Sequence, residues 1–282
     1  ASHSNTAEIT ESTGLTAFTS DGFTVGADTD YSNQTGDGMI HWCWKGNGSG
    51  TADSNGSISS TVSANTAGGI SIVSYTGNVT NSTVGHGLSQ TPEMMVVKNR
   101  DSSQLWATYH KDMHATPEDY YIDFGSYGSR LDNNTRWNDT APTSTVFSIG
   151  TDPCVNGSGH DMIAYCFHSV PGFSKVGGYT GNANVDGTFV YTGFNVRYLM
   201  LKDLTGGNLY FMVFDSERTT YNLTDDHINV GATSAEQVGV STRSLDLLSN
   251  GFKFRDAYAM NYNADYIYVA FAEHPFKYTN AR

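Results

Sequence analysis

Two short signatures recur along this chain at one spacing, and that regularity constrains the fold more than any single motif. Ser74-Tyr75-Thr76-Gly77-Asn78 returns as Gly178-Tyr179-Thr180-Gly181-Asn182, and Met162-Ile163-Ala164-Tyr165-Cys166-Phe167 returns as Tyr266-Ile267-Tyr268-Val269-Ala270-Phe271. Both pairs stand 104 residues apart (Tyr75 and Tyr179; Tyr165 and Val269). Met39-Ile40-His41-Trp42-Cys43-Trp44 reads as a third, earlier copy of the second signature. Each copy follows a strand-like segment and a turn: Gly22–Gly26, Val146–Gly150 and Gly251–Phe254. Repeats of this length are whole domains, not the roughly 20–50-residue rungs of a solenoid. The expected division is an N-terminal arm at 1–14, a half-repeat β-hairpin at 15–46, a Gly/Ser/Asn-rich linker at 47–68, a first β-sandwich at 69–170 and a second at 171–282.

Gly contributes 30 of the 282 residues and aromatic residues 12%. That balance suits many short strands joined by tight turns, because aromatic and β-branched side chains fit a pleated surface and Gly and Asn tolerate positive φ. No stretch of ten residues carries a helical period. The expectation is an all-β chain of tandem β-sandwich or jelly-roll-like repeats. Strands are predicted at 70–76, 82–87, 93–99, 104–110, 119–124, 144–150 and 160–168. The second set falls at 174–180, 188–193, 197–203, 208–215, 226–230, 243–248, 251–255 and 265–273.

The net charge of −13, without a basic cluster, opposes contact with a phosphate backbone, so no nucleic-acid partner is expected. No apolar run approaches the roughly 20 residues of a membrane span, and no insertion into a membrane is expected. The chain opens at Ala1, just ahead of a half-repeat, which predicts processing from a longer precursor. Cys43 and Cys166 hold equivalent positions between aromatic neighbours, so they are expected to be buried and unpaired. With Asn156-Gly157-Ser158-Gly159 as a hairpin turn, Cys154 and Cys166 fall out of register for a disulfide.

Chemical constellations are sparse. His110 and His114, with Asp112 between them, have a ligand-like spacing but no third ligand, and a solvated loop is the better reading. Asp28, Asp30 and Ser32 alternate like the start of a calcium loop, yet Asn33 and Met39 stand where its Gly and Glu belong. No metal or other cofactor is expected. Nucleophile elbows and phosphate-binding loops are missing. Carboxylates that could serve a glycosidase (Glu118, Asp119, Asp123, Asp225 and Asp226) fall in predicted loops, and no enzyme activity is expected. The Asn-x-Ser/Thr sequons follow from the abundance of turn residues and give no reason to expect eukaryotic secretion.

Two groups of aromatic residues are the binding candidates. The region 111–140 carries Tyr120, Tyr121, Phe124, Tyr127 and Trp137, whereas its counterpart near 216–243 keeps only Tyr221. Aromatics on polar loops can stack on sugars or anchor a protein partner, or they can close the domain's own core. The half-repeat carries Phe23, Ile40, Trp42 and Trp44. A lone hairpin with such a face must pack on something, and a neighbouring subunit is the expected partner.

Further segments carry a family resemblance: Ile72-Val73-Ser74-Tyr75-Thr76-Gly77-Asn78, Val84-Gly85-His86-Gly87-Leu88, Val96-Val97-Lys98-Asn99-Arg100-Asp101, Phe189-Val190-Tyr191-Thr192-Gly193-Phe194 and Phe271-Ala272-Glu273-His274-Pro275-Phe276-Lys277. With them the chain resembles tail-fibre-like virion proteins of marine bacteriophages. The resemblance implies a homo-oligomeric, trimeric appendage on the virion surface, in contact with other virion proteins and with a host-surface glycan or protein. A head-decoration protein is the alternative reading, and a polysaccharide-degrading enzyme the third.

Overall fold

The computed structural model describes residues 5–30, 32–205, 207 and 209–273. The closing part of the family-like segment Phe271–Lys277 therefore lies outside the described residues. Strands β1 (Leu15–Phe18) and β2 (Phe23–Val25) form a small hairpin. Then come β3 (Thr51–Asp53), β4 (Ser60–Asn65), β5 (Ile70–Thr76), β6 (Ser82–Gly85), β7 (Met94–Asn99), β8 (Trp106–His110), β9 (Tyr120–Phe124), β10 (Leu131–Asp132), β11 (Val146–Ile149) and β12 (Asp161–Phe167). The second half follows with β13 (Ser174–Thr180), β14 (Phe189–Tyr191), β15 (Val196–Asp203), β16 (Phe211–Asp215), β17 (Ile228–Val230), β18 (Leu245–Leu248), β19 (Gly251–Phe254) and β20 (Asp265–Ala272). No helix among the described residues is long and apolar enough to cross a membrane.

Each half is an antiparallel sandwich of one large and one small sheet. The first pairs the sheet β10-β9-β8-β7-β12-β5-β4-β3 with β11-β6, and the second pairs β13-β20-β15-β16-β17 with β14-β19-β18. The pairing of β5 with β12 sets Tyr75 opposite Met162, and that of β13 with β20 sets Tyr179 opposite Tyr266.

The 104-residue signature has a local physical cause. The Tyr75 hydroxyl donates to Val155 O at 2.6 Å and the Tyr179 hydroxyl to Met260 O at 2.7 Å. Asn156 Oδ1 accepts from Asn78 N, and its Nδ2 donates to Thr80 O and Gly150 O. Asn261 does the same work with Asn182 N, Asn184 O and Asp256 O. At Gly77 a Cβ would lie 2.2 Å from Gly157 O, and at Gly181 2.0 Å from Tyr262 O, so neither position accepts a side chain.

The two sandwiches stack back to back through their large sheets, giving four layers. Alternation along the central strands shows it directly. Met95 and Val97 point into the first sandwich, while Met94 and Val96 point into a third core shared with the second. Leu199 and Leu201 face the second sandwich's interior, and Tyr198 and Met200 face the shared core. Strands covered on both sides read as continuous apolar runs, as Met94–Val97 and Phe211–Phe214 do. His110, buried in this junction, donates from Nε2 to Tyr268 O at 3.2 Å while its Nδ1 accepts from Asp112 N.

Three expectations are corrected. The segment 47–68 is not a linker: β3 and β4 extend the first large sheet, because the outer edge of β5 needs a partner and Ser60 and Val62 supply buried side chains at alternate positions. The segment 39–44 is not a strand of a half-repeat: its expected partner Phe23–Val25 pairs with Leu15–Phe18 instead, which leaves 39–44 without a ladder. Finally, β11 and β12 are not a hairpin. They lie in different sheets, linked by the helical turn α2 (Pro153–Asn156), whose N-cap Asp152 accepts from Cys154 N.

Candidate functional site: an aromatic cleft on the second sandwich

Most of the aromatic residues expected on a recognition loop are structural. Trp137, in the short helix Asn134–Trp137, is 1% exposed and donates from Nε1 to Tyr120 O. Tyr121 lies in the first core with the Arg136 guanidinium 4.3 Å from its ring centre. Tyr120 and Phe124 pack at the junction, Phe124 with its ring 5.0 Å from that of Phe211. Tyr127 alone of the five is exposed, its ring 3.9 Å from Tyr210. The region 111–140 forms strand, turn and core instead of a displayed loop, because Tyr121 and Phe124 take opposite faces of β9. These five residues do not assemble into one surface.

The other group converges. Residues 39–44 run extended, without a ladder, across the end of the second large sheet. Ile40 and Trp42 are half-buried between the exposed His41 and Cys43, a period-two alternation like that of a strand. The Trp42 ring meets Tyr198 edge to face at 5.5 Å, and Trp44 meets Tyr198 and Phe271 at 5.4 Å each. Phe23 fastens the β1–β2 hairpin to this strap through His41, at 4.9 Å. At its far end Asn65 Nδ2 donates to Lys45 O, and Asn47 N donates to Ser63 Oγ. Thus Phe23, Trp42 and Trp44 make ring contacts within their own chain, and Ile40 lines the same cleft as the two tryptophans. Cys43, on the outward side of the strap, is exposed, against the expectation of burial. Cys154 and Cys166 are buried and all three thiols are free.

Between strap and sheet lies a cleft of about 600 Å³. One wall is aromatic: Trp42, Trp44, Tyr198 and Phe271, with Phe173 beside them. The other is charged and held in place. Arg218 donates from Nε to Asp215 Oδ2 at 2.7 Å, from Nη1 to Glu236 Oε1 at 2.8 Å and from Nη2 to Val213 O at 2.9 Å. Asp215 Oδ1 accepts from the backbone N–H groups of Glu217 and Arg218. Arg197 pairs with Glu217 and reaches Ser216 Oγ. Of the groups that line the cleft itself, two arginines (Arg197 and Arg218) face two carboxylates (Asp215 and Glu217), and the wall offers hydrogen-bonding groups without a strong net field. The indole N–H of Trp42 is buried and donates to nothing among the described residues. A buried donor left unmet costs about 1–3 kcal/mol, which marks this side chain as one a bound oxygen would relieve.

Two of the carboxylates considered for glycoside chemistry are engaged by protein groups. Asp123 lies beside Arg136, with burial raising its pKa, and Asp226 is occupied by Thr219 Oγ1 and Gly239 N. His110 and His114 diverge: His110 is buried, whereas His114 is exposed beside Tyr120. Asp28 organises a turn, accepting from Asp30 N and Ser32 Oγ. Among the described residues no three His, Cys, Asp or Glu side chains gather as a metal site would require.

The strap, hairpin and both sandwiches fall within one stretch matched by a single family, described as Domain of unknown function (DUF7483), over residues 1–275. The chain belongs to this family. No curated protein and no solved structure matches it. The DUF7483 match takes in the whole four-layer body with its strap, and the residues that line the cleft lie within it. The cleft's opposite wall comes from the far half of the chain. Sequence flagged Trp42 and Trp44, but no local pattern links them to Tyr198, Arg218 or Phe271.

Proposed function

We propose that this chain is a subunit of a bacteriophage virion appendage that binds a host-surface glycan, without cleaving it, in the cleft under residues 39–44. The observation that carries the binding reading is the pairing of an aromatic wall with a prearranged Asp/Arg/Glu wall. Apolar faces of sugar rings stack on aromatic side chains while their hydroxyls exchange hydrogen bonds with carboxylates and guanidinium groups. The balanced charge of the polar wall favours an uncharged oligosaccharide over a sulfated or uronic one, since the protein's own charge of −13 repels anions. Binding without cleavage is supported by Asp215 and Glu217 each being engaged by an arginine. The virion setting rests on the family-like segments, with which two rigid stacked sandwiches agree.

The test is binding of fluorescently labelled protein to host cells, with purified host surface polysaccharide as competitor. Binding should be blocked by the neutral polysaccharide and lost in Trp44→Ala, whose melting curve should stay close to that of wild type because the side chain is already 37% exposed. Equal binding by Trp44→Ala and wild type would sink the reading.

A further inference from the structure

Tyr221, the aromatic residue kept by the segment 216–243, is 85% exposed, more than any other large apolar or aromatic residue described. Its backbone is nevertheless fixed. Asn222 Oδ1 accepts from Leu247 N and its Nδ2 donates to Leu247 O, both at 3.0 Å. Thr224 N donates to Leu245 O and Leu245 N to Thr224 O, a bridge onto β18. On the other side Thr219 Oγ1 donates to Asp226 Oδ2. A segment held at 219, 222 and 224 thus presents the Tyr221 ring to solvent from a set position.

Beside that ring lies a second depression, of about 450 Å³. Hydroxyl and amide side chains dominate its lining: Asn195, Ser216, Thr219, Thr220, Asn222 and Thr224. Arg197 and Glu217 line both this depression and the cleft under the strap, so the two meet at that ion pair. Thr224 is 1% exposed, and its hydroxyl has no hydrogen-bond partner among the described residues. The cleft under the strap has the same combination, an aromatic surface with the unmet indole N–H of Trp42 beside it. Each volume alone falls within the roughly 300–1,000 Å³ of a small-ligand site, so the pair has room for two ligand-sized groups.

We infer that the groove has two subsites and that its ligand is an uncharged oligosaccharide long enough to cross the Arg197–Glu217 pair, with one sugar on Trp42 and Trp44 and a later one on Tyr221. The inference rests on the reading of the strap cleft as a glycan site. An exposed tyrosine ring offers a face on which the apolar side of a sugar stacks, and the lining hydroxyls and amides can both donate to and accept from sugar hydroxyls. The Thr224 hydroxyl gains in the complex a partner that it lacks in the free protein. Glu217 balances Arg197 where the subsites meet, which leaves no net positive charge to hold a sulfated or uronic chain.

Isothermal titration calorimetry with neutral disaccharide and octasaccharide fragments of the host surface polysaccharide tests it. Wild type should bind the octasaccharide about tenfold or more tightly than the disaccharide. In Tyr221→Ala that ratio should fall to near one, with a melting curve like that of wild type because the side chain is already exposed. Thr224→Val, which keeps the shape and removes the hydroxyl, should lower the ratio several-fold without lowering the melting temperature. Trp44→Ala should weaken both fragments. Equal affinities of wild type for the two lengths, or a ratio unaltered in Tyr221→Ala, would overturn the second subsite while the strap cleft stands as a glycan site. Failure of wild type to bind either fragment would overturn both.

Discussion

Acid should loosen the junction between the sandwiches through one residue, His110. Its imidazole is 1% exposed, and burial drives its pKa from 6.5 down to about 4. Above pH 6.5 the ring is neutral in both folded and unfolded chains and contributes no pH dependence. Below that, the unfolded chain takes up a proton that the folded one refuses, so stability falls until the folded-state ring also titrates near pH 4. The interval corresponds to a total loss of about 3 kcal/mol, of which about 2 kcal/mol is reached at pH 5. His227, also held at about 4 by burial and by Arg243, adds a loss of the same sign. Asp256, raised to about 6 by burial, works the other way, gaining stability as the pH falls through 6. The difference between wild type and His110→Gln isolates the first contribution, because the glutamine amide retains a donor toward Tyr268 O but does not titrate. Urea unfolding at pH 7.5, 6 and 5, followed by tryptophan fluorescence and circular dichroism, should show wild type losing about 2 kcal/mol more than the variant between pH 7.5 and 5. Parallel losses in the two proteins would refute the assignment of His110 as a buried, neutral link.

Cys43 should react rapidly with a thiol reagent in the folded protein, whereas Cys154 and Cys166, whose thiols burial pushes upward in pKa, should react only on unfolding; mass spectrometry of labelled peptides reads this directly. Asn156→Ala and Asn261→Ala should each destabilise by about 2–4 kcal/mol in thermal or urea unfolding, since each leaves several buried backbone groups without a partner. Similar costs at the two sites are expected because the side chains make equivalent bonds 105 residues apart.

Local physics was the legible part of this sequence. Alternation and turn chemistry place the strands from Ile70 to Ala272 within a few residues, apart from the two-residue β10, since each signal is contained in the strand that carries it. The Ser-Tyr-Thr-Gly-Asn signature was visible as a repeat, and its cause emerged only with Val155 and Asn156 beside it. What escaped depends on partners distant in sequence. Residues 47–68 look like a flexible linker by composition, yet a Ser/Thr-rich strand is what the edge of β5 accepts. Trp137 sits among polar residues, so its burial could not be seen without Tyr109 and Tyr120 around it. Stacking of the sandwiches was foreshadowed by the unbroken apolar runs of β7 and β16, which no one-faced sheet requires. The cleft was half legible: the alternation of Ile40, Trp42 and Trp44 identified an apolar face, while its covering surface lies in the other half of the chain.

The four tryptophans provide the most direct test of glycan binding, because two line the cleft and two do not. Titration of the protein with neutral oligosaccharide fragments of the host surface, read by the indole N–H resonances, should shift Trp42 and Trp44 in a saturable manner. Trp137, in the first core, and Trp106, at the sandwich junction, should stay in place. Shifts confined to Trp106 or Trp137, or no shift while host polysaccharide is demonstrably bound, would contradict a carbohydrate site in the cleft.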